Sequence, residues 1–158
     1  AEMKMVEDMV AGFTVDVWLR LADPSPGQVL LDARDGTGHG WALMAVEGGA
    51  VRLVLNDGRT ESSWACDPGL LSTGALHHLV AIVDGGPKLI LFVVDGKLCD
   101  GGDARQFGWG RYSPNLRDVS GAAHLTACEA VEGLRIYDRA LRVSEAIGNW
   151  RAGLPEAR

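Results

Sequence analysis

The sequence predicts an all-β fold in which many short strands are joined by tight turns. Two observations carry this expectation. First, 21 glycines fall, together with prolines, between short apolar runs, and strong helical periodicity is scarce. Second, the stretch from Leu76 to Leu98 reads as two apolar strands, His77 to Val83 and Lys88 to Val94. They are joined by Asp84-Gly85-Gly86-Pro87 and closed by Asp95-Gly96. Both faces of these strands are apolar: Leu79, Ala81 and Val83 against Val80 and Ile82, then Ile90, Phe92 and Val94 against Leu89, Leu91 and Val93. Strands of this kind are buried on both sides, which puts the hairpin at the middle of a packed sheet.

The remaining elements follow in chain order. Ala1 to Val10 is read as an edge strand on the alternation of Met3 and Met5, although Met5 and Met9 also suit one side of a helix. From Phe13 the period is two: Phe13, Val15, Val17 and Leu19 point one way, and Thr14, Asp16, Trp18 and Arg20 the other. Asp23 to Gly27 ends that strand, and Gln28 to Asp32 forms the next. The Gly-rich loop Arg34 to Gly40 precedes a strand from Trp41 to Val46, and Glu47-Gly48-Gly49 leads into Val51 to Leu55. Asn56-Asp57-Gly58 is hairpin-turn chemistry. Ser62 to Leu71 carries Trp64 and Cys66 towards the central hairpin. Asp100 to Ser120 is a long irregular region, and such loops are commonly functional or tied down by their own side chains. His124 to Cys128 and Val131 to Tyr137 are the last strands. Ser144 is placed to cap a short helix through Trp150, with Gly153 to end it and Pro155 beyond, and Ile147 and Trp150 facing the sheets.

Length and charge bound the function. A chain of 158 residues suits one domain over 1–158, burying roughly 70% of its unfolded surface. A net charge of −6, with no basic cluster, argues against a nucleic-acid or anionic-membrane partner. No apolar run approaches the roughly 20 residues of a bilayer span. Cys66, Cys99 and Cys128 are widely spaced, with no CxxC or zinc-type Cys/His cluster, and are read as small buried hydrophobes; a single disulfide is the alternative.

Three segments in order, FTVDVWLRL at Phe13 to Leu21, HHLVAIVDGG with LILFVVDGKL between His77 and Leu98, and GLRIYDRAL at Gly133 to Leu141, resemble the laminin G-like jelly roll. That fold belongs to the concanavalin A-like lectin/glucanase superfamily, and the resemblance spans roughly Phe13 to Trp150. It implies a two-sheet antiparallel jelly-roll sandwich with a short C-terminal helix. It also implies an extracellular or periplasmic module, accessory to a secreted glycan-processing protein and joined to further domains of a longer chain. Leu76 stands where the family usually has Trp, and Glu132 where it often has Asp.

Catalysis finds no foothold in the sequence. Glycosidases need paired carboxylates, one to protonate the leaving oxygen and one to attack or activate water. The superfamily's glycan-cutting members alternate them on one strand in an ExDxE-like pattern, which is absent here, and Glu129 and Glu132 are spaced to face opposite sides. Gly-x-Ser-x-Gly is also missing. His77 and His78, adjacent on a strand, face opposite sides and are read as packing and hydrogen-bonding residues; His39 and His124 stand alone. The reading is therefore a non-catalytic carbohydrate-binding module, with a protein-interaction or adhesion module of the same fold as the alternative.

Aromatic planes stack on sugar C–H faces, and sugar hydroxyls need charged or amide partners. Trp64, Trp109 and Tyr112, placed in loops, and Arg111 and Asn115 beside them are the expected ligand residues for a glycan or other polyol. In the alternative, Trp109 and Phe107 plug the end of the sandwich. Trp18 is expected to pair across the sheet with Tyr137, and Trp150 to anchor the helix. Asp32, Asp35 and Glu132, with Asp57, are the candidate calcium ligands, since calcium takes about six to eight oxygens.

Overall fold

The computed structural model describes residues 9–22, 25–121 and 124–154. The strand expected over residues 1–10 falls mostly outside these, as does Pro155. The described residues form eleven strands and one helix. Six strands make one sheet: β1 (Phe13–Arg20), β6 (Leu76–Asp84), β7 (Leu89–Val94), β8 (Lys97–Leu98), β9 (Gly110–Arg111) and β11 (Val131–Tyr137). Five make the other: β2 (Val29–Asp32), β3 (Gly40–Val46), β4 (Ala50–Asn56), β5 (Glu61–Ala65) and β10 (Thr126–Ala127). The first runs in the order β11-β1-β6-β7-β8, with β9 sharing the outer edge of β7; the second runs β10-β2-β3-β4-β5. All pairings are antiparallel.

Alternation places one face of each strand between the sheets. Phe13, Val15, Val17 and Leu19 of β1 are at most 1% exposed, and each buried side chain of this size contributes about 1.5–3 kcal/mol of transfer free energy. They pack with Trp41, Leu43, Leu53, Leu55, Leu79 and Phe92 in one core shared by the two sheets. The central hairpin is β6 and β7, flanked by β1 on one side and by β8 and β9 on the other.

The second apolar face of that hairpin has its own cover. Helix α1 (Val143–Ala152) lies on the outer face of the six-stranded sheet, where Ala146 and Ile147 pack with Val80, Ile82, Val93 and Leu141. The same cover buries Thr14 and Asp16, polar residues on the outward side of β1. Each is bonded. Thr14 Oγ1 donates to Arg139 O at 2.8 Å and accepts from Leu141 N at 2.9 Å, fixing the chain that enters the helix. Asp16 accepts from His78 Nε2 at 2.7 Å and from Asn149 Nδ2 at 2.8 Å, tying helix to sheet.

Several local expectations are corrected. The helix begins two residues earlier than a Ser144 cap implies: Arg142 is the N-cap, and Glu145 reaches back to accept its backbone N–H at 2.9 Å. Gly153 ends the helix at φ 82°, donating to Trp150 O at 3.1 Å. Trp150 lies over Gly96 so closely that a Cβ there would enter its ring. Trp18 is not paired with Tyr137. The register sets Trp18 against Gly133 and Tyr137 against Thr14, and the Trp18 ring rests 4.5 Å from the His78 imidazole. The stretch from Ser62 to Leu71 that carries Trp64 and Cys66 is strand only as far as Ala65, and the strand expected from His124 to Cys128 is reduced to Thr126–Ala127.

Candidate functional site

The segment from Asp100 to Tyr112 leaves β8 and returns to the same sheet as β9, passing Trp64 at the edge of the five-stranded sheet on the way. Asp67, just after β5, anchors its start: the carboxylate accepts Asp100 N at 3.2 Å, Gly101 N at 3.0 Å and Arg105 Nη2 at 2.8 Å. The Arg105 guanidinium then lies 4.2 Å above the Trp64 ring on β5, a cation–π contact. Trp64 Nε1 donates to Gly108 O at 3.0 Å. Beyond it, β9 pairs with β7.

Glycine at two positions is a matter of space. A Cβ on Gly110 would fall inside the Trp64 ring, and one on Gly108 would strike the Cys99 carbonyl. With Gly108 and Gly110 turned inward, alternation sends Phe107, Trp109 and Arg111 outward. Phe107 and Trp109 stack with centroids 4.8 Å apart and planes 24° apart, and Phe107 stays 47% exposed. The Arg111 guanidinium stands 6.0 Å from the Trp109 ring, which it extends with up to five donors. Neither Phe107 nor Trp109 belongs to the apolar clusters, so they do not plug the sandwich. They form an aromatic platform at its edge. Phe107 is the component that spacing alone did not assign to the ligand set; its place two residues before Trp109 was the available signal.

The other expected ligand residues are distributed differently. Trp64 lies on a strand, not in a loop, and supports the platform from behind. Tyr112 is 3% exposed and packs in the main core, with no ring face open to a ligand. Burial pushes its phenol pKa up, Asp84 adding to the shift, and its hydroxyl has no hydrogen-bond partner among the described residues. Asn115 is exposed, with its backbone N–H bonded to Ser113 Oγ at 3.2 Å, and no bond joins it to the aromatic pair among the described residues.

The carboxylates read as calcium ligands do not meet. Asp32 is gripped by Arg34 Nε at 2.9 Å and Nη2 at 3.1 Å, and the side-chain bond to Arg34 holds its pKa below the usual carboxylate value. Asp35 closes its own Gly-rich loop through Thr37 N at 2.8 Å and His39 N at 3.1 Å. Glu132, on the opposite sheet, accepts Arg20 Nε at 2.7 Å. Asp57 accepts Thr60 N at 2.7 Å and Arg117 N at 2.8 Å. Among the described residues no three His, Cys, Asp or Glu side chains converge, so the expected shared site is not assembled from this set.

One arrangement escaped the sequence reading. Ser72 Oγ lies 3.0 Å from His77 Nε2, and His77 Nδ1 lies 2.6 Å from Asp95 Oδ2, the residue types of a serine-hydrolase relay. Yet Nε2 also accepts Ser72's own backbone N–H at 3.0 Å, so its single lone pair is already engaged. Asp95 further accepts His78 N at 2.8 Å. The group staples the entrance of β6 to the Asp95-Gly96 turn. Cysteine chemistry is equally muted: all three thiols are free, and burial pushes Cys66 up to about 12 and Cys99 up to about 11, leaving both protonated at neutral pH.

A family model described as the concanavalin A-like lectin/glucanases superfamily matches residues 4–146. Among curated proteins, none matches the chain. The binding domain of botulinum neurotoxin serotype D is similar in fold at a TM-score of 0.68 and 12% identity, covering 92% of this chain and 38% of that one. The carbohydrate-binding module named CBM40 of the Ruminococcus gnavus IT-sialidase, solved bound to alpha2,3 sialyllactose, is similar at a TM-score of 0.58 and 15% identity, covering 94% and 95%. The chain thus spans under two-fifths of the botulinum binding-domain chain. At such identities the structural likeness speaks for the fold, whose paired antiparallel sheets and terminal helix are those described above. Matched over most of its length, the chain belongs to the concanavalin A-like lectin/glucanases superfamily.

Proposed function

We propose that the chain is a non-catalytic carbohydrate-binding module, working outside the cytoplasm as an accessory to a glycan-processing protein, with the Phe107–Trp109–Arg111 platform as its ligand face. The observation that carries this is the stacked aromatic pair held outward at the sandwich edge. A sugar ring can lay its C–H face on Phe107 while its hydroxyls accept from Arg111. The CBM40 neighbour bound to alpha2,3 sialyllactose, and a botulinum type C neighbour whose cell entry depends on two ganglioside molecules, support a sugar as ligand for this fold.

The test is a glycan array followed by calorimetry on the wild type, Phe107→Ala and Trp109→Ala. Each substitution is expected to weaken the best glycan by about 1 kcal/mol, roughly fivefold, the scale of an aromatic stacking contact. Unchanged affinity in both variants would overturn the assignment. A second reading, a protein-binding module, rests on Leu70 and Leu98, 38% and 39% exposed, which flank a cavity of about 140 Å³ with Val94 and Lys97. A botulinum neighbour was solved with rat synaptotagmin II. Self-association in sedimentation, with no glycan bound on the array, would favour it.

A further inference from the structure

A cleft of about 440 Å³ opens where β3 turns into β4, within the roughly 300–1,000 Å³ of small-molecule sites. Val51 and Leu53 of β4 point into the core, so Arg52 between them projects from the outer face of the five-stranded sheet, opposite Ala65 of β5. Val46, Ala50, Ala65 and Pro68 give the cleft an apolar lining, to which Arg105 also contributes. Glu47, on the β3–β4 turn, completes the rim.

The charges decide what this cleft suits. Arg105 is already compensated by Asp67 at 2.8 Å. Arg52 and Glu47 are both exposed, and neither is in an ion pair among the described residues. One guanidinium and one carboxylate therefore face the same space without neutralising each other directly. An acidic ligand would gain Arg52 and be repelled by Glu47. A neutral polyol uses both, since neighbouring hydroxyls can accept from the guanidinium and donate to the carboxylate, while the ring's apolar face meets Val46 and the alanines.

We propose that this cleft is a second subsite, taking one neutral sugar ring, and that the chain reads an oligosaccharide at the cleft and the aromatic platform together. The proposal rests on the carbohydrate-binding reading. The chain path supports joint use: Arg105 lines the cleft and Phe107 of the platform follows two residues later, about 7 Å away at full extension.

Saturation-transfer NMR with methyl glycosides of glucose, galactose, mannose and N-acetylglucosamine, with methyl glucuronide as the charged comparison, tests the cleft. At least one neutral glycoside is expected to bind, no more weakly than the glucuronide. In a Phe107→Ala background, which weakens the platform and should leave the cleft's share intact, Arg52→Ala and Glu47→Gln should each reduce that binding at least tenfold with unchanged melting curves. Preference for the glucuronide, or neutral-sugar binding that survives in both variants, overturns the proposal. So does the absence of any signal. Oligosaccharide binding that depends on Phe107 but not on Arg52 or Glu47 overturns the cleft and spares the platform. The reverse pattern spares a sugar-binding cleft and overturns the platform, and joint reading with it.

Discussion

Replacing Trp64 by alanine removes the support on which the whole 100–112 segment rests. Three losses combine. Trp64 is half-buried against the main core, and full Trp-to-Ala truncation in a core costs about 3–5 kcal/mol, so roughly half of that applies. Its Nε1–H bond to Gly108 O, 3.0 Å long, contributes about 1 kcal/mol. The Arg105 contact at 4.2 Å contributes about 0.5–1 kcal/mol where partly exposed. A destabilisation of about 3–4.5 kcal/mol is therefore expected, lowering the melting temperature by roughly 6–18 °C for a chain of this size. Thermal and urea unfolding followed by circular dichroism measure it. Trp64→Phe, which keeps a ring over Gly110 and loses the N–H, should cost about 1 kcal/mol plus the contacts of the missing ring. A Trp64→Ala variant that melts within about 2 °C of wild type, a shift of at most roughly 1 kcal/mol, would refute the support role. Loss of glycan affinity in that unchanged variant would make Trp64 itself a ligand contact.

Tyr112→Phe should be neutral or stabilising by up to about 1 kcal/mol, because it removes a buried hydroxyl that has no partner among the described residues; it should leave glycan affinity unchanged. Clear destabilisation in urea unfolding would show that the hydroxyl is bonded in solution. Acid should loosen the helix entrance through Glu145, whose carboxyl is held at about 2 by the Arg139 side chain and the Arg142 N–H, against an ordinary value of 4.5. Because the folded-state pKa is the lower one, this stabilisation is complete above about pH 4.5 and fades as pH falls towards 2. Glu145→Gln should flatten the unfolding midpoint across that window relative to wild type, and parallel pH profiles would contradict the assignment.

Elements specified by local periodicity were legible in the sequence, and contacts that depend on register were not. Phe13, Val15, Val17 and Leu19 announce the inward face of β1, and the doubly apolar hairpin announces a strand pair covered on both sides, as α1 and the core do cover it. Trp18 and Tyr137 share a face in the sequence pattern, but antiparallel register sets them at opposite ends of the β1–β11 pair, with an irregularity at Trp18/Leu19. Tyr112 looked like Trp109, an aromatic in an irregular region. Only the pairing of Gly110–Arg111 with β7 shows that the chain turns inward at Tyr112. The acidic residues misled for a related reason. Asp32 finds Arg34 two residues away, but Glu132 finds Arg20 only because β11 lies beside β1. Ser144 is a good capping residue by type, yet Glu145 closes the turn onto Arg142 instead.

The most direct test of the central claim is calorimetric titration of the best array glycan into wild type, Phe107→Ala and Trp109→Ala, with a melting curve on each. The platform account predicts about fivefold weaker binding in each variant, the equivalent of about 1 kcal/mol of lost stacking. It also predicts a nearly unchanged melting temperature for Phe107→Ala, since that ring is 47% exposed and outside both apolar clusters. Affinity per folded molecule equal to wild type in both variants would contradict it.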